Sequence, residues 1–180
     1  MSVGRTAVNR ESHSPERPSV TPNAHAWESP RGWALSLALI STVAVAARVA
    51  YVLWVLGPVR SGLDAIWYQL QGGSILAGTG FVVPTSLFEG ELTPTAAFPP
   101  VYPAYQALWQ WMFGPGATAV RMAGVVPGVV TVVLVAILGR ALADARVGLL
   151  AAGAGALSPT LVAADSSTMS ENLTVPLVLA

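Results

Sequence analysis

The sequence predicts an all-α integral membrane protein: a multi-span helical bundle whose long first outer loop carries interfacial helices. Three observations predict it. Only 10% of the 180 residues are charged and 53% are apolar, whereas an ordinary soluble domain is about a quarter charged. Several apolar runs approach the ~20 residues that cross a bilayer core. The arginines fall where short cytoplasmic segments carry them. A mean hydropathy of +0.60 agrees.

Composition also narrows function. The formal net charge is zero, so no basic field invites nucleic acid. There is no cysteine, which removes disulfides and thiolate metal sites. All nine basic residues are arginine. No P-loop, HExxH, GxSxG or zinc spacing occurs.

Residues 1–32 are polar, without hydrophobic periodicity, and read as a disordered cytoplasmic tail. His13 and His25 lie there and receive no role. The first apolar core comes too late for a cleaved signal, so an uncleaved anchor is expected. Residues 33–56 form the first span, with Trp33, Tyr51 and Trp54 toward its ends as interface aromatics. The outer loop covers 57–119. In it, "DAIWYQLQGGSILAG" has helical spacing at Ile66 and Leu70, and a proline-rich extended stretch follows. "VYPAYQALWQWMFG" reads as a second amphipathic helix; Pro103 to Phe113 is about 16 Å at 1.5 Å per residue, too short to span. Further spans are expected at 120–139, 147–164 and from 172 onward. The chain stops inside an apolar run, so it is expected to be the N-terminal piece of a longer protein.

Arginine placement sets the expected orientation. Arg5, Arg10, Arg17 and Arg31 in the tail, and Arg140 and Arg146 in the second short loop, go to the cytoplasm. Asp64, Glu89, Glu91, Asp165 and Glu171 then fall outside, which makes the outer face the candidate for chemistry.

Each candidate residue carries two readings. Asp64 is either an N-cap favoured by the helix dipole or a general base for an incoming hydroxyl. Arg48 within the first span costs a few kcal/mol unless it snorkels or finds a partner. That partner is Asp64, Asp165 or a lipid phosphate. Arg121 is an interfacial anchor or a bidentate phosphate ligand. Asp165 and Glu171 either belong to a capped turn, with Ser167 or Ser170 as the cap, or one of them pairs with Asp64 to hold an acceptor or a metal. Glu89 and Glu91 could hold a divalent cation, against the plainer reading of a solvated loop. The prolines of "FPPVYP" either position the next helix or wall a substrate groove.

Taken in order, "DAIWY…ILAGTGF", "FPPVYPAYQAL…FG", "VRMAGVVPGVVTVVLVAILGRAL" and "ALSPTLVAADSSTMSENL" resemble one group. They are similar to the N-terminal part of membrane glycosyltransferases of the GT-C fold, in the protein O-mannosyltransferase-like family that includes the lipid A aminoarabinose transferases. The resemblance covers residues 33 to 180. It implies that Asp64 of a D-E-x-x-Y-like motif is the catalytic base, with Tyr68 at the matching tyrosine and Ala65 where the second acid stands. It maps Pro99, Pro100 and Tyr102 onto a P-P-x-Y segment, with Phe98 in place of a basic residue. Arg121 and Glu171 match an arginine and an acid that open later spans. It implies a polyprenyl-phosphate sugar donor, with no nucleotide sugar, and inversion at the sugar carbon. The expected acceptor is a glycan, lipid or protein and the expected location a bacterial plasma membrane; the sequence requires no cofactor and leaves room for a divalent cation. The competing expectation is a non-catalytic transporter fragment or membrane scaffold.

Overall fold

The computed structural model describes residues 29–56 and 62–180. The tail expected over 1–32 therefore lies outside the described residues except at its end. There Ser29 accepts a hydrogen bond from the Gly32 amide, and Pro30 opens helix α1 (Pro30–Ala50). A proline at the first helical position loses no hydrogen bond, so the helix starts three residues before Trp33. A π-helical stretch, Tyr51–Leu56, continues it.

The outer segment holds α2 (Leu63–Leu76), α3 (Ser86–Glu89), α4 (Val101–Phe113) and α5 (Ala117–Met122). Between α2 and α4 the extended stretch folds back on itself. Val82 and Pro94 form an isolated antiparallel bridge, and there is no longer strand among the described residues. Then come α6 (Val125–Leu142), α7 (Ala145–Leu157), α8 (Pro159–Asp165) and α9 (Glu171–Leu179).

Two helical stretches, Pro30–Leu56 and Ala117–Leu142, are long and apolar enough to cross a membrane. The second starts three residues earlier than expected. The third expected span is not one straight helix. It breaks at Ser158–Pro159, where α7 and α8 meet at 61°. Proline cannot supply the amide that would continue α7, and the Ser158 side chain caps the new helix instead. Counted as one bent element, the pair makes a third candidate span. The expected fourth is α9, nine residues in this chain.

Helices α1, α6 and α7 pack on one another around Ala44, Val132, Ala136, Ala152 and Ala156. Gly139 and Gly148 bring α6 and α7 into backbone contact: a Cβ on Gly148 would overlap the Ala136 carbonyl. Small residues let helices approach closely where lipid gives no hydrophobic drive to associate. At one end of this bundle the Arg140 guanidinium lies 4.5 Å from the Trp33 ring centre. The start of α1 and the end of α6 thus share an end of the bundle. Asp144 caps α7 there, accepting from the Val147 amide. The opposite end carries Arg48, Asp165 and the α2–α4 pair.

Candidate functional site

Arg48 decides how this end is built. It stands in the last turn of α1 and is 1% exposed. Its Nε and Nη2 both lie 2.7 Å from Oδ2 of Asp165, the last residue of α8. Its Nη1 donates to the carbonyls of Ala44 at 3.2 Å and Ala156 at 3.5 Å. Snorkelling and a lipid-phosphate grip are therefore replaced by an internal ion pair. The physical reason is the bend. It turns α8 back toward α1 and delivers a carboxylate to an arginine that lipid could not solvate. A carboxylate at a helix C-terminus opposes the helix dipole, and the guanidinium offsets this as well.

Helix α6 makes room. A Cβ on Gly128 would overlap Asp165 Oδ2 and crowd Arg48 Nε, and one on Gly124 would overlap the Asp165 backbone carbonyl. That carbonyl accepts from Asn172 Nδ2 at 2.8 Å. Beside the pair is a cavity of about 50 Å³ lined by Arg48, Thr131, Asp165, Glu171, Asn172 and Val175, among others.

On α4, the Tyr102 hydroxyl accepts from Gln106 Nε2 at 3.0 Å. The Tyr102 ring meets Tyr68 edge-on, centroids 4.8 Å apart, and Phe98 packs against Tyr68 at 5.0 Å and Trp67 at 5.5 Å. So Phe98 completes an aromatic stack here. Burial pushes the Tyr102 hydroxyl well above the usual tyrosine range, partly opposed by its hydrogen bond with Gln106. Tyr105, which donates to the Ala123 carbonyl, is pushed up to about 12 by burial.

Of the expected site residues, Arg48 pairs with Asp165 and Glu171 lines the cavity beside them, while Tyr68 and Tyr102 meet in the aromatic stack. Asp64 shares no described contact with the pair. The N-cap of α2 is Gly62; Asp64 is in the first turn, so the expected N-cap role is corrected to a dipole complement. Its side chain is exposed and makes no hydrogen bond or ion pair among the described residues. Asp165 pairs with Arg48, and Glu171 Oε2 accepts from Ser170 Oγ at 3.4 Å, so neither has a described contact with Asp64. Ser170 does sit at the N-cap of α9, but its side chain does not cap it. Arg121 is buried in the last turn of α5 and does not line the cavity beside Arg48. Glu89 and Glu91 are exposed, and no three His, Asp or Glu side chains come together among the described residues.

Sequence reasoning missed Asn172, Gln106 and the two glycines of α6. A signal existed for the glycines: Gly124 and Gly128 stand four apart in "GVVPG", the spacing of close helix contact. Asn172 left only the trace of an amide opening an apolar run.

No protein-family model, no curated protein and no solved structure matches the chain.

Proposed function

We propose that this chain acts in a membrane glycosyltransferase that moves a sugar from a polyprenyl-phosphate donor to an acceptor hydroxyl on the outer side of a bacterial plasma membrane. One observation carries the reading. Asp64 presents an exposed carboxylate from the first turn of α2, while Tyr68, one turn on, is buried in an aromatic stack. A base needs a free carboxylate on a fixed support, and this arrangement supplies both.

In this mechanism Asp64 takes the proton of the acceptor hydroxyl. The oxygen attacks the anomeric carbon with inversion, and the bond from that carbon to the phosphate oxygen breaks. The lipid phosphate leaves with the electron pair, and Arg121 stabilises its charge. Arg48 takes no part, because its guanidinium is held by Asp165.

Asp64→Asn tests this in membranes supplied with polyprenyl-phosphate sugars. Transfer is expected to fall ~10²–10⁴-fold, the usual contribution of a general base, with expression unchanged because the side chain is exposed. Unchanged transfer defeats the proposal. The chain lacks cysteine, so a cysteine placed at 64 also reports the side: labelling from the cytosol separates the base from its donor.

A second reading is favoured by the same Arg48–Asp165 geometry. A closed charge pair between spans is what a non-catalytic membrane scaffold would hold, and such a scaffold is indifferent to Asp64→Asn.

A further inference from the structure

The two ends of the bundle carry opposite charge. Among the described residues, the end with Arg48 and the α2–α4 pair holds Arg48 and Arg121 against Asp64, Glu89, Glu91, Asp165 and Glu171. The other end holds Arg31, Arg140 and Arg146 against Asp144 alone, and that carboxylate is engaged in capping α7. All three arginines there are exposed.

Packing brings them together. The Arg140 guanidinium lies 4.5 Å from the centre of the Trp33 ring, and Arg31 stands just ahead of Trp33 on α1. A Cβ on Gly148, just after Arg146 on α7, would crowd the Arg140 amide nitrogen and Cβ. So α1, α6 and α7 each deliver one arginine to the same place.

Helix stability does not account for two of the three. Arg31 and Arg146 sit in the first turns of α1 and α7, where the helix dipole disfavours a cation. Arg140, in the last turn of α6, suits its dipole. Apart from the face of Trp33, though, its side chain has no hydrogen bond or ion pair among the described residues. Its five N–H donors stay open.

Depth and surroundings name the ligand. Arg31 and Arg140 stand at the ends of the two long apolar stretches, Pro30–Leu56 and Ala117–Leu142, so they meet a bilayer at the level of its headgroups. Leu35, one turn on from Arg31, and Leu138 and Leu142, on either side of Arg140, are exposed beside them. A ligand that fits carries an anion for the guanidiniums and a hydrocarbon chain for the leucines. We propose that this end binds the phosphodiester headgroup of an anionic phospholipid, with the Arg140 fork, steadied on Trp33, taking two phosphate oxygens. The site stands apart from sugar transfer and does not rest on it.

The chain has no cysteine, so single thiol-linked fluorophores report on each end. Leu142→Cys places one beside the arginines, and Leu53→Cys places one on an exposed position toward the opposite end. The full chain is reconstituted in phosphatidylcholine vesicles holding equal mole fractions of brominated phosphatidylglycerol or brominated phosphatidylcholine. Bromine quenches on contact, so quenching tells which lipid lies beside the label. At position 142 phosphatidylglycerol is expected to be preferred roughly fivefold or more, about what one arginine near an anionic surface contributes. At position 53 no such preference is expected. Arg140→Gln is expected to remove most of the preference at 142. Arg140→Lys keeps the charge, loses the fork and is expected to retain only part of it.

Equal quenching by the two lipids at position 142 overturns the site. So does an equal preference at position 53, or one at 142 that Arg140→Gln leaves intact. A preference that Arg140→Lys keeps in full overturns the role of the fork. A preference lost on adding inorganic phosphate at constant ionic strength marks a free-phosphate site and overturns the lipid. The comparison of 142 with 53 keeps Arg140 in place, so it decides the matter even where a substitution at 140 fails to insert.

Discussion

Two regions of this molecule solve the same problem in opposite ways. The α1–α6–α7 bundle packs alanine and valine against glycine, and its one buried charge is matched by Asp165. The α2–α4 pair instead buries Gln71, Ser74, Gln106 and Gln110 between its helices and turns Leu63, Ile66, Leu70, Leu108 and Trp111 outward. Its amides work on the backbone: Gln71 Nε2 donates to the Val82 carbonyl and Gln110 Nε2 to the Gln69 carbonyl. Helices in lipid gain no hydrophobic energy from meeting each other. One region therefore associates through shape and the other through hydrogen bonds. In the α2–α4 pair the large apolar side chains thus face away from the partner helix, the reverse of a soluble domain.

The contrast breaks most sharply at the ion pair. Asp165→Leu leaves Arg48 buried without its counter-charge. It is expected to cost about 3–5 kcal/mol in an unfolding titration of the detergent-solubilised protein. Arg48→Met combined with Asp165→Leu is expected to recover most of that loss, since both charges then leave together.

Next in size come the glycines. Gly128→Ala drives a methyl into the Arg48–Asp165 pair and is expected to cost about 1–3 kcal/mol or more. Gly72→Ala meets the Gln110 side-chain amide at 2.7 Å. That amide can swing aside, and the Gln106 Cβ at 3.0 Å and the Ala107 nitrogen at 3.2 Å need give by only a few tenths of an ångström, so the expected cost is smaller in the same titration. Equal costs would mean that the amide-packed region is as rigid as the bundle.

Within the α2–α4 pair, Gln71→Ala strands the Trp67 indole N–H and the Val82 carbonyl. It is expected to cost about 1–3 kcal/mol. Gln106→Met is expected to be milder, because the Gln106 Oε1 has no hydrogen-bond partner among the described residues and its removal offsets the lost bond to Tyr102.

The smallest effect is a pH dependence. Folding raises Tyr105 from 10.0 to about 12. The unfolded chain therefore loses this proton first, and stability falls as pH rises from about 10 toward 12. Tyr105→Phe removes that slope, and also the hydrogen bond to Ala123, expected to be worth about 1 kcal/mol at neutral pH. Parallel slopes in parent and variant would show that the tyrosine is not responsible.

Much of the fold was legible. The apolar run after the tail, the amphipathic "VYPAYQALWQWMF" and the arginines of the second short loop placed α1, α4 and the α6–α7 turn close to where they stand. The facing of α2 was not. Ile66 and Leu70 mark a stripe that a soluble protein would bury, yet here both are exposed while Gln71 is buried. Periodicity locates a stripe and leaves open whether lipid or protein covers it. The break at Ser158–Pro159 was overlooked for a related reason. Hydropathy averaged over a window is blind to one proline.

The sequence by itself determined that this chain is helical, where its long apolar helices run, and that an arginine inside the first of them must find a partner. Those are properties of single residues and of their spacing in a low-dielectric solvent. That the partner is Asp165 and not Asp64, and that Asn172 holds the Asp165 carbonyl, came only from the packing of distant segments. Residues 117 apart in the chain meet because α8 bends back and two glycines on α6 leave them space. Pairing of that kind depends on backbone approach in three dimensions, which no local pattern of side chains encodes.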